Sequence, residues 1–232
     1  MPQSGYSLVT ERIASNRTGF LTVIGELSRG KSIIRATFNA KIQAIPIAGQ
    51  VLDLGARSRS SSYYRFLNTQ EAKITFTDIN PTAPGMIKVD LEQPLPFPDQ
   101  SFDVTLMMFV TNYIWNIGPL FREIRRVTRD YAIIGSSLVD QYAPEPHDYH
   151  RFTRGGLERL ITEAGFTRSQ VFGVEQGPLT LALAGLQQLA FFPPGAVALY
   201  PLVWAGDGLI RSVLPRRCHE RSVMSYISVM KS

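Results

Sequence analysis

The segment VLDLGARSRSSSYYRFL, residues 51–67, places polar residues directly after a short apolar strand. Asp53 lies in that strand, and Gly55, Ala56 and Ser58 belong to the turn that follows it. Glycine lets a backbone approach a ligand closely because it has no Cβ, and a helix starting at the serines would offer unpaired N–H groups. Such a turn suits the polar end of a small ligand, whereas a dinucleotide pyrophosphate usually requires the fuller G-x-G-x-x-G pattern. The single glycine therefore favours a smaller, nucleoside-type cofactor.

Two acids follow the next two apolar segments in corresponding positions. Asp78 ends the segment KITFT, and Asp90 follows the weaker segment MIKV. A carboxylate at the end of a strand can accept two hydrogen bonds from vicinal ribose hydroxyls, and the second acid would lie where an adenine amino group is expected. Aspartate also favours turns, so each acid has a purely structural interpretation as well. The matching positions of the two acids favour binding.

A polar and aromatic cluster offers candidates for the side of the site that binds an acceptor. It consists of His147, Asp148, Tyr149 and His150. His147 beside an acid could act as a general base, and two histidines three residues apart could resemble metal ligands. The third interpretation is a structural loop in which Tyr149 packs and Arg151 pairs with an acid. No third metal ligand is evident, so no metal site is expected, and no single catalytic residue is assigned.

The elements that must position these residues follow from hydrophobic periodicity. Ile34, Phe38, Ile42 and Ile45 form one apolar stripe, which predicts a helix that ends at Pro46 and Gly49. Strands separated by helices need crossover connections, which predicts a mostly parallel α/β sheet with helices on both faces. Besides residues 51–54, strands are predicted near residues 73–77, 86–89, 102–109, 131–138, 170–174 and 223–229, and helices near residues 60–67, 120–127 and 157–164, the last of them ended by Gly165.

At this point the chain resembles a known family. Its segments VLDLGARSRSSSYYRFL, ITFTDINP, VDLEQPLPFPDQSFDV, PLFREIRRV and PEPHDYHRFTRGGLERLITEAGF are similar in order and spacing to class I S-adenosylmethionine-dependent methyltransferases, most closely the methyltransferase type 11 domains. The resemblance covers about residues 50–166. It implies a Rossmann-like doubly wound sheet whose last strand is antiparallel, methyl transfer as the activity, and S-adenosylmethionine as the cofactor.

The resemblance also implies roles for individual residues. The turn from Asp53 to Ser58, with Gly55 and Ala56, would cradle the methionine end of the cofactor. The remaining cofactor contacts would be Asp78 and Ile79 at the ribose, Asp90 and Leu91 at the adenine, and Phe109 in the pocket wall; Tyr113, His147 and Tyr149 would lie on the substrate side.

The chain departs from the family pattern in three places. Ala56 and Ser58 replace two glycines of the usual turn, although some members of this branch carry a similar serine-rich start to the helix. Thr111-Asn112-Tyr113 stands where Leu-Glu-His is common, and a shorter Arg-Asp pair replaces the usual Pro-Gly-Gly turn before the fifth strand. Two alternatives to the methyltransferase therefore remain. One is a non-catalytic methyltransferase-like binding module that has lost efficient cofactor binding. The other is an NAD-dependent oxidoreductase, which is less favoured because the glycine pattern is missing.

The part of the chain from residue 176 to residue 206 carries no charge. A membrane-spanning helix needs about 20 consecutive apolar residues, and Gln187-Gln188, Pro193-Pro194, Gly195 and Pro201 are expected to break this stretch into shorter pieces. We expect helices that form a lid over the acceptor pocket, which would suit a bulky or lipid-linked acceptor. The alternative is peripheral contact with a membrane or a partner through residues 179–205.

Length, cysteine content and charge indicate the number of domains, the cell compartment and the kind of partner. The 232 residues fit one domain, divided here into an N-terminal helical segment (1–48), a core (49–175), the apolar insertion (176–213) and a closing strand (214–232). A single cysteine, Cys218, and no recognisable signal peptide favour a cytoplasmic protein, with a peripheral position at a membrane as the alternative. The net charge of +5 is dispersed. The arginines at 122, 125 and 126, or at 216 and 217, could touch an anionic partner, but a solvated face is favoured and no nucleic acid is expected.

Overall fold

A computed structural model describes residues 5–140, 143, 147–187, 193–213 and 222–232. Gln188, Arg216, Arg217 and Cys218, which the sequence singles out, lie outside these ranges. The strands are β1 (Ile45–Leu54), β2 (Leu67–Asp78), β3 (Ile87–Lys88), β4 (Phe102–Met108), β5 (Thr128–Ser137), β6 (Arg168–Glu175) and β7 (Val223–Lys231). The helices are α1 (Gly5–Ser15), α2 (Phe20–Ser28), α3 (Ile33–Lys41), α4 (Ile117–Val127), α5 (Arg154–Glu163), α6 (Pro178–Leu186) and α7 (Pro193–Val213).

The strands form one sheet in the order β3-β2-β1-β4-β5-β7-β6. Strands β1 to β5 pair in parallel, and β7 is antiparallel to both of its neighbours, β5 and β6. The predicted sheet, mostly parallel with an antiparallel last strand, is confirmed. The carboxyl ends of β1, β2, β4, β5 and β6 consequently share one edge, which in sheets of this kind is the edge where ligands bind.

Helices cover both faces of the sheet, as predicted. On one face, α4 buries the stripe of Leu120, Phe121, Ile124 and Val127 against the sheet, and α5 adds Leu157 and Ile161. On the other face, α1 and α3 bury residues that include Ile13 and Phe38. The repeat of three and four residues in α4 and α5 explains why both helices could be predicted from sequence. Gly165, with φ near +85°, follows the end of α5 where the sequence placed it.

The helix that the sequence predicts up to Pro46 ends earlier, which corrects that prediction. Helix α3 stops at Lys41, and Ile45 is the first residue of β1, so Pro46 and Gly49 lie inside a strand. This first half of β1 pairs only with β2, because its pairing with β4 begins at Val51. A proline and a glycine are tolerated where one side of a strand is unpaired. The boundary drawn between residues 48 and 49 falls inside β1.

The helix expected after the serines is also a wrong prediction. Residues 62–65 form one short 3₁₀ turn, and β2 begins already at Leu67. No serine side chain caps this turn at its start; the Ser61 hydroxyl instead donates hydrogen bonds to the carbonyl oxygens of Ala56 (2.8 Å) and Ser58 (3.2 Å). The serines therefore hold the turn after β1 instead of opening a helix.

Helices α2, α6 and α7 form a layer, named here the helical cap, together with the start of α3. The cap encloses its own apolar cluster, which includes Val23, Ile33, Leu183 and Tyr200. Met224 of β7 also belongs to this cluster, and its neighbour Ser225 pairs with Ser137 at the carboxyl end of β5. The cap is thus anchored at the ligand-binding edge of the sheet.

Helix α7 runs through Gly195 and Pro201, so the expectation that these residues break the apolar stretch is wrong. Tyr200, beside the proline, is fully buried in the cap, and packing of this kind overrides intrinsic helix propensity. Asp207 on the same helix caps α6: its carboxylate accepts hydrogen bonds from the backbone of Leu179 (2.9 Å) and Thr180 (2.9 Å). None of the described helices is long and apolar enough to cross a membrane.

Candidate functional site

The turn after β1 brings backbone close to the strand end of β4. Gly55 has φ near +71°, and a Cβ at this position would lie only 2.7 Å from a methyl group of Val110. Both the backbone conformation and the lack of space require glycine here. The next residue, Ala56, donates its N–H to the carbonyl oxygen of Thr77 at 2.9 Å. The one glycine retained in the turn is therefore the one that the geometry needs.

Asp53 is buried beneath this turn and is held by two tyrosines of the 3₁₀ turn. The hydroxyls of Tyr63 (2.6 Å) and Tyr64 both donate to the same carboxylate oxygen, Oδ2. The other oxygen, Oδ1, is buried without a hydrogen-bond partner among the described residues. Burial raises the pKa of Asp53 to about 6, against the opposing effect of the two tyrosine hydrogen bonds. The site thus contains a buried acceptor atom that no described protein group satisfies.

Asp78 links the turn after β1 to the end of β2. Its Oδ2 accepts a hydrogen bond from the backbone N–H of Arg57 at 2.9 Å, and its Oδ1 accepts one from that of Asn80 at 2.9 Å. The bond to Asn80 is the turn contact of the structural interpretation, but a carboxylate has about four lone-pair sites. Two backbone donors therefore leave Asp78 able to accept further hydrogen bonds, such as those from two ribose hydroxyls.

Asp90 lies one strand further along the same edge. The backbone N–H of Val89 donates to the carbonyl oxygen of Asp78 at 3.0 Å, which places the two acids on neighbouring loops. The Asp90 carboxylate is exposed and accepts a hydrogen bond from the N–H of Glu92 at 3.0 Å. Leu91 beside it is buried, whereas Ile79 is about half exposed. The structure therefore brings Asp53, Gly55, Asp78 and Asp90 to one edge of the sheet.

Phe109 forms the wall of this region at the end of β4. It is one of the few residues other than glycine with a positive φ, near +61°, and its N–H donates to the carbonyl oxygen of Gly135 at 2.8 Å. Its ring meets that of Phe38 edge-on, with centroids 4.5 Å apart. On this ring lies the guanidinium of Arg35, 4.2 Å from the centroid. This cation–π contact brings a cation into the candidate site.

Arg35 was not identified as a site residue from the sequence. It comes from α3, where seven of the nine residues are alanine, isoleucine, phenylalanine, threonine or asparagine and all of these are buried. Burial lowers the pKa of Arg35, and the nearby Tyr63, Asp140 and Tyr113 oppose that shift. A single arginine among small and apolar residues was the available signal, but its position over Phe109 depends on tertiary packing.

The candidate acceptor residues come from two loops that the backbone ties together. Tyr149 donates its N–H to the carbonyl oxygen of Asn112 at 2.7 Å, which joins the loop of residues 147–150 to the one that carries Tyr113. Tyr113 is half-buried, and burial followed by the charges of Asp140 and Asp148 raises its pKa. The rings of His147 and Tyr149 lie 6.0 Å apart.

These loops also bear out parts of the structural interpretation. Arg151 forms an ion pair with Asp148, and this contact, ahead of the others, holds the pKa of Asp148 below its usual range. The His150 ring nitrogen Nε2 lies 3.0 Å from the carbonyl oxygen of Trp115. Within the described ranges, no three His, Cys, Asp or Glu side chains are grouped so that they could hold a metal ion.

Comparison with known proteins gives the class of this chain. Residues 52–134 match the family model of the methyltransferase domain, and the seven-stranded sheet is that of S-adenosylmethionine-dependent methyltransferases of known structure. Residues 52–134 are thus similar to a methyltransferase domain, and the fold of the chain is the one seen in S-adenosylmethionine-dependent methyltransferases. No curated protein sequence matches it significantly.

Three solved structures illustrate the shared fold. A methyltransferase from Archaeoglobus fulgidus matches with a TM-score of 0.52 at 15% identity, over 80% of this chain and 86% of its own. The 1,6-didemethyltoxoflavin-N1-methyltransferase of Burkholderia thailandensis, solved with its substrate and S-adenosylhomocysteine, matches with a TM-score of 0.50 at 15% identity, over 90% and 78%. The [4+2]-cyclase SpnF matches with a TM-score of 0.52 at 16% identity, over 86% and 80%. At these identities the likeness establishes the fold and not the reaction.

The described residues fit the cofactor of this family. Asp53 Oδ1 is a buried acceptor without a hydrogen-bond partner among the described residues, and it lies beneath the turn that contains Gly55. Asp78, which accepts a hydrogen bond from the N–H of Arg57 in the same turn, can accept further hydrogen bonds. A 3₁₀ turn stands where the sequence predicts a helix after β1, and the Ser61 hydroxyl donates to the carbonyl oxygens of Ala56 and Ser58.

Proposed function

We propose that this protein binds S-adenosylmethionine at the carboxyl edge of β1, β2 and β3 and transfers its methyl group to a small-molecule or lipid-linked acceptor. The observation that carries the proposal is the buried Oδ1 of Asp53, which lies beneath the turn after β1 and has no hydrogen-bond partner among the described residues. An unsatisfied buried oxygen is costly unless a ligand donates to it.

Each proposed cofactor contact has a chemical reason. The turn from Asp53 to Ser58 would hold the methionine end, where an ammonium group could donate to the free oxygen of Asp53. Asp78 would accept the two ribose hydroxyls, since two vicinal donors match a carboxylate. Asp90 would accept from the adenine amino group, with Leu91, Ile79 and Phe109 supplying apolar contacts to the ring and pocket.

Bound S-adenosylmethionine supplies a methyl group already activated by a sulfonium. The chain's own task is to align the acceptor atom in line with that methyl group, about 3 Å away, and to exclude water. The acceptor loses a proton and the sulfur retains the electron pair of the broken bond. Tyr113, His147 and Tyr149 are the proposed acceptor-side residues because their loops are joined at the end of β4. A base is required only for an acceptor whose proton must leave early.

Isothermal titration of the purified chain with S-adenosylhomocysteine and with NAD tests the proposal. We expect binding of S-adenosylhomocysteine and no heat with NAD. The matched control is Asp99→Ala, which removes an exposed carboxylate paired with Arg126 away from the turn and should leave affinity unchanged. No measurable heat with S-adenosylhomocysteine at millimolar concentration, from folded protein, would refute the proposal.

That negative result would favour the alternative, a methyltransferase-like module without efficient cofactor binding. The observation in its favour is the loss of the helix after β1, which leaves the described turn with fewer N–H donors. The arginines of α4 that such a module could use are partly engaged within the chain: Arg126 pairs with Asp99 and Glu123, and Arg125 donates to Ser232 at 2.6 Å.

A further inference from the structure

Helix α7 exposes a row of apolar side chains along one face. Leu199, Leu202, Leu209 and Val213 follow one another at intervals of three, seven and four residues and so lie on one face of the helix. Leu202, Leu209 and Val213 are 72%, 68% and 74% exposed. Every residue from Pro194 to Leu209 that is exposed is apolar, because Tyr200 and Asp207 point inward and are buried. A surface helix normally presents charged or polar side chains to water.

The rest of the helical cap extends this surface. Phe20 of α2 packs on Tyr200 and Trp204 of α7, with ring centroids 5.7 and 5.2 Å apart. On the same helix α2, Leu21 is 80% exposed, and Trp204 itself is 46% exposed. Tryptophan at the border of an apolar surface is typical of contact with the interface of a bilayer, where its ring lies at headgroup level.

The charges of the cap have one sign. In residues 16–35 and in the described part of 176–213 there are two acids, Glu26 and Asp207, and both are buried with their carboxylates engaged in hydrogen bonds. The exposed charged residues of these segments are basic and include Arg17 and Arg29, the second of which also lies 3.6 Å from Glu26. Arg211 follows the buried Asp207 by four residues and donates to the carbonyl oxygen of Gln176, so it lies on the opposite side of α7 from the leucines. The cap therefore presents apolar and cationic groups to its surroundings and no exposed anion.

We infer that the helical cap is a docking surface for an anionic phospholipid membrane. The exposed leucines of α7 would enter the apolar part of one leaflet while the arginines contact anionic headgroups. Pairing of two copies through the same face would bring the arginines of both copies together, which like-charge repulsion disfavours. Because none of the described helices can span a bilayer, the contact is peripheral. The inference does not depend on methyl transfer, since it rests on the outer face of the cap.

Sedimentation of the full chain with vesicles tests this inference. Vesicles of phosphatidylcholine alone are compared with vesicles in which part of the lipid is phosphatidylglycerol. We expect binding that requires phosphatidylglycerol and weakens as salt is raised. Leu202→Glu and Leu209→Glu should each weaken it by about tenfold or more, because each removes a leucine from the apolar phase and adds a negative charge. Both side chains are exposed, so the melting temperature should not change.

Leu8→Glu is the matched control, since Leu8 is an exposed leucine on α1, outside the cap. This variant should bind vesicles as the wild-type chain does. The inference is overturned if the wild-type chain does not bind anionic vesicles, or if the α7 variants bind as well as the control. It is also overturned if light scattering without lipid shows a dimer that Leu202→Glu dissociates, because a second copy would then cover the face.

Discussion

Replacement of Gly55 by alanine separates the two reasons for a glycine in the cofactor turn. The φ near +71° costs about 1–2 kcal/mol for a residue with a Cβ. The new Cβ would lie 2.7 Å from a Val110 methyl group, an overpacking that costs roughly 1–3 kcal/mol more. After the small gain from a stiffer unfolded chain, about 0.4–1 kcal/mol, the free energy of unfolding should fall by roughly 2–4 kcal/mol.

Two further variants assign these contributions. Gly165→Ala has a similar φ, near +85°, but no atom within 4 Å of the new Cβ, so it should cost only the backbone contribution of about 1–2 kcal/mol. Adding Val110→Ala to Gly55→Ala removes the contact, so the double variant should be more stable than the sum of the single effects by about 1–3 kcal/mol.

Urea unfolding of the wild type and of four variants, the three above and Val110→Ala alone, measures the free energies of unfolding. Titration with S-adenosylhomocysteine measures how each change in the turn affects binding. Gly55→Ala should lower the affinity of the folded protein for S-adenosylhomocysteine, and Gly165→Ala should not. Additive effects of Gly55→Ala and Val110→Ala, within about 0.5 kcal/mol, would contradict the steric argument. Unchanged affinity in Gly55→Ala would contradict the role of this turn in binding.

Three other predictions concern the replacement of a carboxylate side chain. Asp78→Ala should weaken the binding of S-adenosylhomocysteine by about thirty- to a thousandfold, because two hydrogen bonds to the ribose are lost. Calorimetry on protein shown to be folded measures this affinity, and an unchanged affinity would make Asp78 a turn residue only. Because the pKa of Asp53 is raised to about 6 in the folded state from 3.8, the wild type should lose stability as the pH rises from 4 to 6. Asp53→Asn should lack that loss, so urea unfolding should show its stability relative to wild type rising by about 2 kcal/mol over this interval, and a flat difference would refute the shift. Asp207→Ala should cost about 2–4 kcal/mol by leaving the start of α6 uncapped, whereas Glu163→Ala, an exposed carboxylate, should cost less than about 0.5 kcal/mol in the same denaturation; equal costs would contradict the capping role.

The sheet could be predicted from sequence because its signals are local and repeat over several residues. Strand β4 is mainly apolar and almost entirely buried, and α4 places Leu120, Ile124 and Val127 on one face, so period and burial agree. The stripe that misplaced the end of α3 was ambiguous. Ile42 and Ile45 are three residues apart, as in a helix, but both contribute to the same core cluster from a turn and a strand. Spacing alone does not distinguish these arrangements.

The candidate site could be predicted only in part. The acids after β2 and β3 were found because strand ends mark the ligand edge of a parallel sheet. Tyr63, Tyr64 and Arg35 were missed as site residues because their contacts join segments distant in sequence or depend on a turn that the serines suggested was a helix. A hydroxyl reaching a buried carboxylate leaves no periodic signal, whereas a helix face does.

The place of β7 in the sheet has a consequence for the order of folding. It stands between β5 and β6, although the whole segment from residue 138 to residue 222 is synthesised between β5 and β7. Strand β6 cannot join the sheet until β7 has formed its pairs with β5, so α6 and α7 leave the ribosome before their docking platform is complete. During synthesis these apolar helices are accordingly open to chaperones, and cells short of chaperone capacity should lose this protein to aggregation before they lose proteins whose strands pair in chain order.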